Sequence, residues 1–335
     1  MSSTRIQGMS WLYDQVVAEQ GDRTPYFSEQ SALNWMRALS FEISRENGEN
    51  SREQFQSCRA ALHRQAKPAQ RTLSLASVFE PLFGAVTNAM SLSRLALDPA
   101  PFHRPSAVVT WYYAVYGAVR AMFAAAGQVV GDHHSVAMKA FASVLRTRLP
   151  HPLNMYARHL KQEEYAVVLP AYPNVASMNI SGAFDPSAKT SQGMLLEYLS
   201  GTARWYTGRT KEQLRKRRGI SDFRKKVDRE ARDQALQKDI AFLHCAFRYR
   251  TKANYRDAIY LTYGAREFTV ASAFAEDLAV VARFAVLCAF AFCEWLVGQE
   301  QLQSFLVDLD QNIRGINQSK PMEAFWREIV TNHAT

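Results

Sequence analysis

Residues 107–127 read AVVTWYYAVYGAVRAMFAAAG, a stretch in which Arg120 is the sole charged side chain. A helix of that composition is apolar all round, so other helices must wrap it. Ser106 opens it, and Gly127 closes it in the manner of a left-handed C-cap. Working outward, the neighbouring segments read as helices long enough to do the wrapping. Ser28 caps one that runs to about Arg45, with Leu33, Trp35, Met36, Leu39 and Ile43 on its apolar face and ENGEN at its end. Ser51 opens a second through about Gln65. A third spans Ser74 to Leu97, apolar at Val78, Leu82, Phe83, Val86 and Met90, and stops at Asp98-Pro99-Ala100-Pro101. After the central helix, one is expected from His134 to Arg148, closed by the turn from Pro150 to Pro152. Further helices are expected at Gln192–Tyr206, over 209–263 with a break, from Phe268 to Leu309, and around Met322 to Val330. Between Tyr165 and Phe184 the pattern changes to β-branched residues and turn formers, either a short hairpin or an ordered loop. The fold class is therefore mainly α, with at most one short β-hairpin.

The chain has 335 residues, 47% hydrophobic and 21% charged, with 15 Gly and 12 Pro. This composition excludes disordered, collagen-like and disulfide-stapled classes, because there is ample apolar surface for a core. Cys58, Cys245, Cys288 and Cys293 form no CxxC pair and read as buried reduced thiols; neither a metal site nor a cofactor is expected. His133 and His134 point apart on a helix and read as capping or surface residues. The amino terminus lacks the basic and apolar regions of a signal peptide, which predicts a cytoplasmic protein. Leu278–Val297 is the most hydrophobic stretch, but Arg283 and Glu294 interrupt it, so it reads as a core helix and no membrane partner is expected. Walker A, GxGxxG, GxSxG, HExxH and EF-hand patterns are absent from the sequence, which argues against ordinary metabolic enzymology.

Forty Lys and Arg stand against 31 Asp and Glu, a formal charge of +9. Residues 209–232, RTKEQLRKRRGISDFRKKVDREAR, hold eleven of the cations and four of the acids, a local net of 11 − 4 = +7. Such a cluster is an electrostatic footprint for phosphates, each of which releases counterions when neutralised. Arg215, Lys216, Arg217, Arg218, Arg224, Lys225 and Lys226 are the candidate contacts, and a second row, Arg248, Arg250, Lys252 and Arg256, is expected to extend them. Phe223 alone interrupts the run, so base stacking is weakly served. The competing reading is a solvated helix pair tied by i,i+4 ion pairs, Glu212 to Lys216 and Asp228 to Arg232.

Two separated pieces resemble the HEPN superfamily, an all-helical fold of prokaryotic toxins, defence proteins and nucleotidyltransferase partners. In the first, Tyr112, Tyr113 and Ala114 match the family's Tyr-Tyr-Ala core helix, and His134-Ser135 stand where a His-Ser pair often begins the next one. In the second, FRYRTKANYRDAIY from Phe247 to Tyr260 is similar to the opening of the family's last core helix, with Asn254 in place of an Asp. The resemblance implies a helical N-terminal region at 1–104, HEPN-like core helices at 105–149 and 246–264, an insertion with the basic arm at 150–245, and a helical C-terminal region at 265–335. Catalytic members place an arginine and then a histidine at the start of the last core helix; here Arg250 is followed by Tyr255, whose phenol is a poor base at neutral pH. The resemblance thus implies a non-catalytic nucleic-acid-binding (RNA or DNA) or complex-forming component of a bacterial defence or toxin-antitoxin system. Its first rival is a metal-independent ribonuclease using Arg250 and Tyr255, or a histidine from elsewhere such as His244. The second is an assembly adaptor or homodimer that buries Leu278–Val297 against a protein partner. Arg146 with His151 has the right spacing but straddles Pro150.

Overall fold

The computed structural model describes residues 25–67, 74–97, 103–128, 130–131, 133–160, 165–220, 222–255, 258–263 and 268–313. The expected helix around Met322 to Val330 lies outside them. Helices α1 (Pro25–Asn47), α2 (Ser51–His63), α3 (Leu75–Leu97) and α4 (Arg104–Ala125) come first in the chain. Then come α5 (His134–Ala140), strands β1 (Tyr156–His159) and β2 (Tyr165–Val168), α6 (Ala188–Arg218), α7 (Lys226–Leu236) and strand β3 (Ile240–Ala241). The described chain ends with α8 (Phe242–Tyr255), α9 (Ala258–Tyr263), α10 (Phe268–Leu296) and α11 (Gln299–Ile313). The fold is mainly α, as its sequence implies.

The all-apolar helix sits where its composition requires. On α4, Val108, Trp111, Tyr112, Ala114, Val115, Ala118 and Phe123 are all buried, and the helix packs against α3, α10 and α8. Gly117 lets α3 come close, since a Cβ there would lie 2.8 Å from the Pro81 carbonyl oxygen. The second central element is α10, buried without interruption from Phe284 to Cys293 and packed against α1, α2, α3 and α4. Ala273–Leu296 is, among the described residues, the one helix long and apolar enough to cross a membrane, yet 78% of its apolar window is inside the fold. The length test alone cannot tell a span from a core helix; burial by four neighbours can. Trp35 of α1 closes the core by stacking on Tyr198, ring centres 4.1 Å apart, and meeting Trp111 edge-on at 5.8 Å.

The hairpin is real but earlier than the sequence suggested. β1 and β2 pair antiparallel from Tyr156 opposite Val168 to His159 opposite Tyr165, and β3 adds to the other edge of β1. The rest of the 165–184 stretch is an ordered loop, held where Asn34 donates to the Ile180 and Gly182 carbonyls at 2.7 and 2.9 Å. α2 opens at Ser51 as expected, capped by Asn50, which accepts from the Glu53 N–H. Other boundaries shift for local reasons. The helix from His134 keeps its span but widens to a π turn over Phe141–Leu145 and tightens to a 3₁₀ turn at Arg146–Arg148. α6 passes through Gly201 and Gly208 without the expected gap, and Gly298, at φ 119°, divides α10 from α11 inside the expected 268–309 helix. Segment 150–245 is only partly an arm: Met194, Leu195, Tyr198 and Leu199 belong to the common core, and α6 packs on α1.

Candidate nucleic-acid interface

Beyond Thr207 the character of α6 changes. Ser187 and Thr190 form a capping box at its start, and Gly219, at φ 63°, ends it by donating its N–H to the Arg215 carbonyl. The last turn is therefore Arg215, Lys216, Arg217 and Arg218, all exposed, at the helix end where cations meet the negative pole of the macrodipole. Arg224, Lys225 and Lys226 follow, also exposed, as the chain turns into α7. Of the two anticipated i,i+4 pairs, Glu212 to Lys216 forms at 2.7 Å. Asp228 does not reach Arg232, which pairs instead with Asp233 at 2.8 Å. Arg224 lies 3.6 Å from Asp222, and Lys226 lies 3.9 Å from Glu230. Arg217, Arg218 and Lys225 have no ion pair among the described residues. Ion pairing thus consumes part of the cluster and leaves a net positive surface.

The cations also crowd one another. The guanidinium carbons of Arg215 and Arg232 lie 5.4 and 5.7 Å from the Phe223 ring centre, so the arm's aromatic is already stacked by protein cations. Arg209 sits 5.3 Å over Trp205 in the same way. Burial, and then the charges of Arg232 and Arg215, push the Lys211 ammonium below its ordinary pKa, the mark of a site with surplus positive potential.

The second row does not extend this surface as one stripe. Arg248 turns inward, donating to Thr202 Oγ1 at 3.1 Å with its guanidinium 5.5 Å from the Tyr198 ring centre. Lys252 is half-buried, Arg256 lies outside the described residues, and so does the side chain of Tyr255. Phe247 lies inside α8, which begins at Phe242, so the FRYR run is not a helix opening.

Arg250 faces α4. It donates to the Tyr113 hydroxyl at 3.1 Å and lies 5.8 Å from the Tyr112 ring centre. The Tyr112 hydroxyl in turn meets His134 Nδ1 at 2.9 Å. His134 packs among Tyr112, Tyr116 and Phe247, with ring centres 5.5, 4.6 and 5.4 Å away. Burial and then the Arg250 charge hold its pKa below the ordinary value, so the ring is neutral at pH 7. Burial raises Tyr112 well beyond the ordinary phenol, so its hydroxyl stays protonated. α4, α5 and α8 thus bring together an arginine and a neutral, half-buried histidine that lie far apart in sequence. The His134-Ser135 pair following the Tyr112 helix was the sequence signal here, and the packed ring replaces the reading of His134 as a capping or surface residue.

The other candidates are placed elsewhere. His244 is buried, accepts the Ala241 N–H at Nδ1, and is pushed by burial down to about 3, so it is closed to a substrate. Arg146 and His151 do not meet as a site. Arg146 pairs with Asp239 at 3.0 Å and lies 3.7 Å over the Tyr156 ring. His151 joins a buried network in which its Nε2 lies 2.6 Å from Gln192 Nε2 and 3.4 Å from Glu42 Oε2. Burial alone would raise Glu42, but hydrogen bonds from His151, Arg45 and Gln192 outweigh it and hold the carboxyl below its usual range. Sequence reasoning missed this network entirely. Among the described residues there is no group of three side chains able to hold a metal. Comparison with protein-family models finds no match to this chain, and comparisons with curated proteins and with solved structures find none either.

Proposed function

We propose that the protein is a cytoplasmic nucleic-acid-binding component that grips the phosphate backbone with the end of α6 and the start of α7. What carries this reading is Arg217, Arg218 and Lys225, exposed and without ion pairs among the described residues, in a stretch of local net charge 11 − 4 = +7. Exposed cations free of carboxylate partners can be neutralised by phosphate at little desolvation cost, and such contacts carry affinity without reading sequence. The resemblance of the Tyr112 and Phe247 segments to the HEPN superfamily adds a place for such a component in a bacterial defence or toxin-antitoxin system.

Binding of fluorescent single- and double-stranded RNA and DNA at 50 and 200 mM salt tests the reading. Wild type is expected to bind tightly at the lower salt, to weaken steeply at the higher, and to leave the polymer intact. The triple variant Arg217→Gln, Arg218→Gln, Lys225→Gln is expected to lower the slope of log K against log salt by roughly 2 to 3. No binding at 50 mM, or an unchanged slope, overturns it.

A second reading rests on the meeting of Arg250 and His134. An arginine to hold a scissile phosphate and a neutral histidine to accept a proton are the two groups that metal-independent RNA cleavage requires, and His134 would stand where Tyr255 was expected to act. Under this reading, product gels from the same samples show RNA fragments that vanish in Arg250→Ala and in His134→Ala. Intact RNA with wild type removes it. Packing of the α10 apolar face against α1, α2, α3 and α4 supports a core role for that helix over the adaptor reading.

A further inference from the structure

We propose that Cys58 and Cys288 are a redox pair that closes into an intramolecular disulfide, joining α2 to α10, when the chain folds in the presence of a small-molecule disulfide. Their sulfurs lie 3.0 Å apart across 230 residues of sequence. Each side chain is about 1% exposed, both are free thiols, and the helices that carry them pack directly on each other. A disulfide needs about 2.05 Å between sulfurs, so each sulfur has to move by roughly half an ångström. The other two cysteines are differently placed. Cys245 lies on α8, and Cys293, five residues beyond Cys288, is on another side of α10; neither has a sulfur within hydrogen-bond reach among the described residues. The geometry therefore selects one of the possible pairings.

The chemistry is thiol–disulfide exchange. The thiolate of one cysteine attacks a sulfur of the small disulfide, breaking its S–S bond, expelling one thiolate and leaving a mixed disulfide on the protein. The second cysteine's thiolate attacks the protein sulfur of that mixed disulfide and expels the other small thiolate. Two protein thiols have then lost two electrons and two protons, and the reagent has gained them as two thiols. Burial, and then contact with Cys58, push the Cys288 thiol well above its ordinary range, so the folded pair holds almost no thiolate. Exchange belongs to the chain before the core has closed, and the finished bond is shielded from reductant afterwards.

The experiment is to unfold and reduce the whole protein, refold it in a glutathione/glutathione-disulfide buffer or in excess dithiothreitol, and map disulfides by mass spectrometry of non-reduced digests. The first buffer is expected to consume two of the four thiols and give a cross-linked peptide pair holding Cys58 and Cys288. The variant Cys245→Ser, Cys293→Ser, which keeps the pair, is expected to form the same link in full and to melt roughly 5 °C higher oxidised than reduced, since the link closes a long loop of the unfolded chain. Four free thiols after oxidative refolding, or a cross-link through Cys245 or Cys293, overturn the proposal.

Discussion

The α4–α10 centre and the arm formed by the end of α6 with α7 are built from the same helical geometry and obey opposite rules. In the centre, Trp111, Tyr112 and Phe123 on α4 and Phe284, Phe290 and Phe292 on α10 are wholly buried, and each position is fixed by what it touches. In the arm, Arg215 to Arg218 touch little, and their arrangement follows from charge: cations at a helix C-terminus, partly paired with acids one turn away. Stability therefore resides in the first region, and surplus positive charge in the second. A mutation in one should be read by melting and in the other by binding.

The largest expected effect tests whether the centre holds the fold. Trp111→Ala removes a ring that contacts Trp35, Phe242 and Tyr249, with centres 5.8, 6.5 and 5.6 Å away, and is expected to cost about 4 kcal/mol. That corresponds to a fall in Tm of roughly 6 °C by calorimetry. A fall of only a degree or two would mean that the centre repacks freely and that the contrast with the arm is overstated.

Acid titration sharpens the comparison next, because the strongly perturbed groups lie inside. His244 has its folded pKa lowered from 6.5 to about 3, so below pH 6.5 the unfolded chain takes up a proton that the fold refuses, and stability declines from there toward pH 3. Glu42 adds to the loss lower down, since its folded pKa also lies below its unfolded value and its stabilisation disappears as pH falls through the folded one. Urea midpoints are expected to drop by an amount equivalent to roughly 1 kcal/mol per pH unit below 6.5, less so in His244→Gln. An identical slope in wild type and variant would assign the effect elsewhere.

The smallest effect compares one substitution in both regions. Gly117→Ala places a Cβ 2.8 Å from a backbone oxygen of α3 and is expected to destabilise by about 1–3 kcal/mol, against the usual helix preference for alanine. Gly208→Ala, on α6 at the root of the arm, meets nothing within 4 Å and is expected to stabilise by about 0.5–1 kcal/mol. Equal signs in chemical denaturation would erase the distinction between a packed and a solvated helix.

Much of the fold could be read from local pattern. The segments around Trp35, Leu82, Trp111 and Phe290 each carry enough apolar repetition to declare a helix, and Gly127 marks an end because glycine takes the left-handed φ of a C-cap without strain. The π turn at Phe141–Leu145 was not legible, because a change of winding leaves the apolar spacing nearly intact. Neither was the hairpin's place: the loop from Leu169 onward has strand-like composition, but its polar groups are met by Asn34 on α1 instead of by a neighbouring strand. Of the candidate site, the arm was visible as charge density, whereas the inward turn of Arg248 was not. Alternation along a helix shows where a side chain starts, not which partner it finds.

By itself, then, the sequence determined the mainly α class, the central place of the 107–127 helix and the concentration of positive charge at 209–232, because these depend on local hydrophobicity, periodicity and net charge. Tertiary structure decided which residues meet: His134 and Arg250 about Tyr112, Cys58 against Cys288, and Glu42, His151 and Gln192 in one buried network. Those meetings depend on how helices distant in the chain cross in space, and the spacing of residues along one segment carries no information about that.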